Sequence, residues 1–223
     1  MSYTPRRLET QTDFVPVPGE RTRLLRSSLA LAALALLLVG CGHMQPVRYY
    51  EISYPAVGPA EQKPLYGTLL VRAFATSHLY REDRIVYGSD SEQMGMYQNE
   101  RWSEPPAEML QNALVREMRS TGRFRIVTPL RSDSNGDFLL TGHLYDFKEV
   151  SGNGIIIARL SFDAELRDLK TGTTLWTCTY KDDEPSKGKD VASLAAAMDL
   201  NVQRSVQKVE AGVLDKLANY PAK

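Results

Sequence analysis

From Ile156 to Leu166 every even position is apolar (Ile156, Ala158, Leu160, Phe162, Ala164, Leu166), while Arg159, Ser161, Asp163, Glu165 and Arg167 are polar. Successive side chains of an extended chain point to opposite sides, so this alternation predicts a strand with one dry and one wet face. A dry face must be covered. Between about Asp190 and Asn219, Val191, Ala195, Met198, Val202, Val206, Val209, Val213 and Leu217 recur at spacings of three and four. That spacing puts one apolar stripe along a helix, which suits it to lie across the sheet.

The rest of the chain supplies the other strands and one more helix. Tyr49 to Tyr54 is a first strand by β-propensity, and Pro55, Pro59 and Pro64 mark a loop after it. Gly67 to Phe74 is a second strand. Arg84 to Tyr87 and Met94 to Gln98 form a hairpin about Gly88-Ser89-Asp90-Ser91. Pro105 and Pro106 fit only the first turn of a helix, with Ser103 as its cap. This helix carries Leu110, Ala113, Leu114 and Met118 on one stripe, runs to about Ser120 and ends at Gly122. Phe124 to Val127 and Asp137 to Val150 are strands, and Gly152-Asn153-Gly154 turns into the alternating one. Thr171-Gly172 turns out of it into Thr173 to Tyr180, with Trp176, Cys178 and Tyr180 on the buried side. The order predicts an α+β fold: a single domain, with a mostly antiparallel mixed sheet and two helices packed on one face.

The N-terminal part is of another kind. Leu29 to Val39 is an uncharged apolar run preceded by Arg21, Arg23 and Arg26. It is shorter than the ~20 residues a helix needs to cross a bilayer. Charged, apolar and small residues in that order predict a secretory signal over residues 1–40. Leu38-Val39-Gly40-Cys41 is similar to the lipobox of bacterial lipoproteins, whose cysteine sulfur is acylated before cleavage exposes its amino group. Stable anchoring takes about two lipid signals, and three chains on Cys41 would meet that need without a spanning helix. Residues 41–47 then form a lipidated tether and 48–220 the domain. Gly42, where an aspartate would retain the protein at the inner membrane under the familiar sorting rule, points to the periplasmic face of the outer membrane.

Charge narrows the partners. Lysine plus arginine and aspartate plus glutamate each number 27 in the 223 residues. Removing residues 1–40, with five basic and three acidic side chains, leaves 22 basic and 24 acidic. A net charge of about −2 gives no footprint for nucleic acid.

Catalytic constellations are missing. His43, His78 and His143 are far apart, with no pair at metal-ligand spacing. Asp133-Ser134-Asn135-Gly136-Asp137 starts like a calcium loop but continues with Phe138 and has Leu144 where a glutamate is needed. Ser186-Lys187-Gly188-Lys189 and Lys170-Thr171-Gly172 match the words of penicillin-recognising enzymes in reversed order. The expectation is a protein that is not an enzyme, with no metal and no cofactor beyond the covalent lipid on Cys41.

One segment stands out from an ordinary surface. Seven of the eleven tyrosines lie between Tyr49 and Tyr97, and Tyr80, Arg81, Arg84, Tyr87, Met94, Met96, Arg101 and Trp102 crowd its second half and the residues just beyond. Tyrosine, tryptophan, methionine and arginine are enriched where protein surfaces meet. Two readings stand: a partner-binding face made by Tyr80, Arg81, Arg84, Tyr87, Arg101 and Trp102, or core aromatics with arginines paired to Glu82, Asp83 and Glu100.

The same segment carries a resemblance. Arg48-Tyr49-Tyr50-Glu51-Ile52, Leu70-Val71-Arg72-Ala73-Phe74, His78-Leu79-Tyr80-Arg81-Glu82-Asp83-Arg84-Ile85-Val86-Tyr87 and Arg101-Trp102-Ser103-Glu104-Pro105-Pro106-Ala107-Glu108-Met109-Leu110 resemble the auxiliary lipoproteins of ABC-type lipid transport. That family includes the lipoprotein of the paraquat-inducible Pqi system. The resemblance implies an outer-membrane-anchored periplasmic adaptor without catalysis. Its implied partners are a periplasmic MCE-domain protein and inner-membrane transporter components, with homo-oligomerisation left open. The alternative is a lipid-carrying protein that holds an acyl chain between its sheet and its helices.

Overall fold

The computed structural model describes residues 45–53, 64–89, 93–133, 135–152 and 154–220. In chain order these form β1 (Arg48–Tyr50), β2 (Tyr66–Val71), β3 (Ala75–Thr76), a 3-10 turn (His78–Tyr80), β4 (Arg84–Gly88) and β5 (Met94–Trp102). Then follow α1 (Pro106–Ser120), β6 (Phe124–Pro129), β7 (Phe138–Gly152), β8 (Ile155–Asp168), β9 (Thr174–Pro185) and α2 (Val191–Ala218). Residues 1–44, with Cys41, lie outside the described residues, as do Tyr54, Pro55, Pro59, Asp90, Ser91 and Asn153 of the loops read above. No helix among the described residues is long and apolar enough to cross a membrane.

The fold is α+β, with a nine-stranded mixed sheet and two helices. β7 is its spine. One edge of β7 pairs antiparallel with β8 from Phe138 to Gly152, and β9 continues that meander. The other edge is shared in turn by β2, β3 and β4, all parallel to β7. β6 then adds parallel to β2, β5 antiparallel to β4, and β1 parallel to β5. The long ladders are antiparallel as expected, whereas five of the eight strand pairings among the described residues are short and parallel. Parallel neighbours need crossover connections, and α1 carries the chain from β5 across to β6 at the far edge of the strand order.

The periods in the sequence reflect real burial. Ala158, Leu160, Phe162, Ala164 and Leu166 of β8 are all buried. Above them Met198, Val202, Val206, Val209, Val213 and Leu217 of α2 are buried as well. Asp190 caps α2 by accepting from the Ser193 N–H at 2.7 Å. At α1 the expected cap is not used: Pro105 occupies the cap position with Pro106 at the first helical turn, and no side chain caps it. A proline at the first turn lacks an N–H that would otherwise need a partner, so Ser103 is left exposed. β1 is shorter than its β-propensity implied, and ends at Tyr50 as the chain turns inward to bury Ile52.

The two helices pack against each other and set up one pH-dependent term. Burial raises the carboxyl pKa of Glu210 on α2, and the charge of Glu117 on α1 adds to it; Glu117 is itself raised by burial. A carboxyl whose folded pKa lies above its unfolded value stabilises the fold below the unfolded pKa, and that stability is lost as pH rises through the folded value. Glu210→Gln should therefore raise the unfolding midpoint at pH 7 by about 1 °C, the effect of relieving ~0.5 kcal/mol of like-charge repulsion. Calorimetry at pH 4 should show the gain vanish. A gain of equal size at both pH values would contradict the assignment.

Candidate functional site

β4 and β5 carry the aromatic and arginine-rich segment, and the hairpin puts Arg84 opposite Arg101. The six residues expected to make a partner-binding face divide into two groups.

Tyr80 and Trp102 are core residues, with 2% and 1% of their surface exposed. The edge of Trp102, the last residue of β5, meets Phe147 of β7 in a T-shaped contact at 5.3 Å. Tyr80 closes the 3-10 turn, and burial pushes its phenol up to about 12, with the charge of Asp146 adding. Neither side chain can meet a partner in this fold, so the docking role is corrected for both. The physical reason is packing: both side chains belong to the hydrophobic core, where the indole meets Phe147.

The other four stay at the surface. Arg81 is exposed, and Tyr87 keeps 40% of its surface. Arg101 donates from Nη1 to Asp83 Oδ1 at 2.7 Å, and Arg84 Nε stands 3.3 Å from Glu82 Oε2. Arg48 of β1 adds a pair with Glu100 at 3.6 Å. These pairs are partly exposed, and surface ion pairs are worth about 0–1 kcal/mol. The surface is thus a mosaic of both charges and not a bare basic patch.

The structure adds two residues that sequence reasoning had not singled out. Tyr87 packs edge to face on Tyr97 with ring centroids 5.0 Å apart, and the Tyr97 hydroxyl donates to Glu149 Oε2 at 2.7 Å. Glu149 is only 4% exposed. Burial, then the hydrogen bond to Glu149, holds the Tyr97 phenol far above its ordinary pKa. A signal existed in the sequence, since Glu149 stands two residues from Phe147 on one side of β7. An acid on the dry side of a strand needs a donor.

Chemistry is sparse elsewhere. Among the described residues no three His, Cys, Asp or Glu side chains could hold a metal ion. His143 is exposed on β7, its ring tilted against Tyr145 with centroids 4.7 Å apart, and its backbone N–H donates to Asp163 Oδ1. Cys178 is half-buried in β9, and burial pushes its thiol up, away from the reactive thiolate.

A family model described as the ABC-type transport auxiliary lipoprotein component matches residues 50–210, and the chain belongs to that family. Its members are auxiliary components that work with an ABC-type transport system. No curated protein sequence matches the chain. A crystal structure of a Xanthomonas campestris protein of the DUF330 family model is similar at TM-score 0.69 and 20% identity, covering 77% of this chain and 97% of that one. A second crystal structure, of an uncharacterized protein, is similar at TM-score 0.59 and 14% identity, covering 76% and 99%. These two likenesses show the fold. A PelC dodecamer from Paraburkholderia phytofirmans is more distantly similar, at TM-score 0.42 and 13% identity over 69% of this chain and 93% of that one.

Proposed function

We propose that the protein is a non-catalytic adaptor of an MCE-type lipid transport system, of the Pqi kind, anchored in the outer membrane through acyl chains on Cys41. The observation that carries this reading is the family match over residues 50–210, which begins nine residues after a cysteine in lipobox context. The acyl chains hold the domain at the periplasmic face of the membrane. Arg81, Arg84, Tyr87 and Arg101 meet the periplasmic MCE-domain protein, exchanging the internal carboxylates Glu82 and Asp83 for acids of the partner.

Two variants test the two halves of the proposal. Cys41→Ser should remove the protein from the outer-membrane fraction, and unchanged recovery in that fraction would refute anchoring through that sulfur. The triple variant Arg81→Ala/Arg84→Ala/Arg101→Ala should lower pull-down of the MCE protein at least about fivefold, with an unfolding midpoint within about 2 °C of the parent. Full recovery of partner by a folded triple variant would rule this face out.

One observation favours the second reading, that the domain carries lipid itself. Between the end of β9 and the start of α2 lies a groove of about 400 Å³ whose apolar wall is Pro185, Ala192, Ala196, Ala197 and Leu200, rimmed by Glu184, Lys187, Asp190 and Ser193, with Leu200 43% exposed. It lies between sheet and helix. Copurification of phospholipid with the Cys41→Ser protein, abolished by Ala196→Trp, would favour carriage over adaptation.

A further inference from the structure

Arginine is distributed unevenly along the chain. Residues 116–131 hold Arg116, Arg119, Arg123, Arg125 and Arg131 against a single acid, Glu117, although the part after residue 40 carries 24 acidic and 22 basic side chains. The fold gathers three of these arginines at one place. Arg116 and Arg119 are three apart on α1 and share a side of the helix. Arg131 follows the end of β6, the strand against which α1 packs. Together they line a groove of about 460 Å³ that also has Asn112 and Thr128 in its walls. The lining residues of this groove include no carboxylate; Arg116 also borders the adjoining groove that holds Glu51 and Glu104, the acid bonded to Asn112 at 2.7 Å. Glu117 is half-buried and interacts with Glu210 of α2.

We infer that this groove binds the phosphate of an anionic lipid headgroup. A guanidinium offers five donors in a planar fork whose spacing fits two oxygens of a phosphate. Arg119 donates from Nε to the Val127 carbonyl at 2.8 Å, which fixes its guanidinium at the groove instead of leaving it free in solvent. The volume falls within the ~300–1,000 Å³ of small-molecule sites, enough for a glycerophosphate group and too polar for an acyl chain. Charge complementarity selects the occupant. A slightly acidic domain is not drawn to an anionic bilayer as a whole, so attraction must come from a local cluster, at about 1 kcal/mol per arginine near the surface. The groove is remote in sequence from the docking residues 81–101, and it stands or falls separately from the adaptor reading.

The test uses the full chain in a neutral detergent, titrated by calorimetry with dihexanoylphosphatidylglycerol, dihexanoylphosphatidylcholine and inorganic phosphate. Dihexanoylphosphatidylglycerol should bind at least about fivefold more tightly than the zwitterionic lipid, and raising salt from about 50 to 500 mM should weaken it about tenfold or more. Arg116→Glu/Arg131→Glu should lower its affinity at least tenfold with an unchanged unfolding midpoint. Arg119→Lys keeps the charge but loses the fork, and should lower affinity by a smaller factor. Equal binding of the two lipids, or unaltered binding by the folded double variant, would overturn the assignment. Binding of inorganic phosphate without binding of the lipid would overturn it too, because the site would then be an ion site and not a headgroup site.

Discussion

Trp102→Ala is expected to lower the unfolding midpoint by about 10 °C or more and to reduce the yield of folded protein. The indole is 1% exposed and packs its ring against Phe147, so truncation removes a large buried side chain and leaves a cavity. Tryptophan-to-alanine changes in cores cost about 3–5 kcal/mol, and a domain of this size loses about 2–4 °C per kcal/mol. One opposing term softens the loss: Trp102 Nε1 is buried without a hydrogen-bond partner, an arrangement that costs about 1–3 kcal/mol in the parent. Trp102→Phe keeps an aromatic ring and removes the unpaired donor, so it should cost less than half as much as the alanine change. The pair of variants also bears on function. If Trp102→Ala loses the MCE partner while Trp102→Phe retains it, the loss follows folding and not docking. An unchanged midpoint for Trp102→Ala, measured by differential scanning calorimetry, would mean that the indole is not in the core.

Why the indole could be mistaken for a surface residue is a matter of local pattern. β8 announces its two faces because one is wet, so polar and apolar residues alternate over eleven positions. β5 has no such alternation: its residues from Met94 to Arg101 are half-buried or exposed without period, and only Trp102 is fully buried. Trp102 joins the core through Phe147 of β7, and its strand neighbour in β1 is Tyr50, about fifty residues away in sequence. Pairings of that kind leave no trace in local sequence. The same holds for β2, β3 and β4, which take successive places along one edge of β7. Long periodic elements such as α2 and the β7-β8-β9 meander are legible because each carries its own amphipathic signal. The short parallel strands are not, because their register depends on the spine they join.

The site follows the same rule. Arginines and aromatics single out one segment, and the pairing of arginines with Glu82, Asp83 and Glu100 is one of two readings open from composition alone. The geometry combines the two. Tyr80 and Trp102 belong to the core, whereas Arg81, Tyr87 and the acid-paired Arg84 and Arg101 lie at least partly at the surface. The arginine groove on α1 was not legible, since Arg116, Arg119 and Arg131 come together only when β6 runs back along α1.

Asn201→Leu is expected to cost about 3–5 kcal/mol, although leucine matches the valines and methionine around it on α2. Asn201 is fully buried. Its Nδ2 donates to the Ala158 carbonyl of β8 at 3.0 Å and to the Asp182 carbonyl of β9 at 2.9 Å, and its Oδ1 accepts from the Tyr180 hydroxyl at 2.8 Å. All the side chain's strong bonds are thus spent on joining the long helix to two adjacent strands. Leucine would leave two carbonyls beneath the helix without the amide donor, at about 1–3 kcal/mol each before relaxation, and would push the phenol onto its longer 3.2 Å acceptors, Asp182 Oδ2 and the Asn201 backbone carbonyl. Arg204, one turn on, clamps the same strand through Asp182 at 2.7 Å and Glu184 at 2.8 Å, but lies at the surface and cannot replace the buried amide. Tyr180→Phe removes only one of the bonds and should cost about 1 kcal/mol. The double variant Asn201→Leu/Tyr180→Phe should therefore be more stable than the sum of the single losses predicts, by about 0.5–3 kcal/mol. Asn201→Asp should make the stability of this junction depend on pH. A carboxylate facing two carbonyl oxygens and buried from water has its folded pKa raised, so that variant should be least stable at neutral pH and recover as pH falls toward ~4. Additive losses in urea unfolding, or an aspartate variant indifferent to pH, would show that the amide does not join helix and strands.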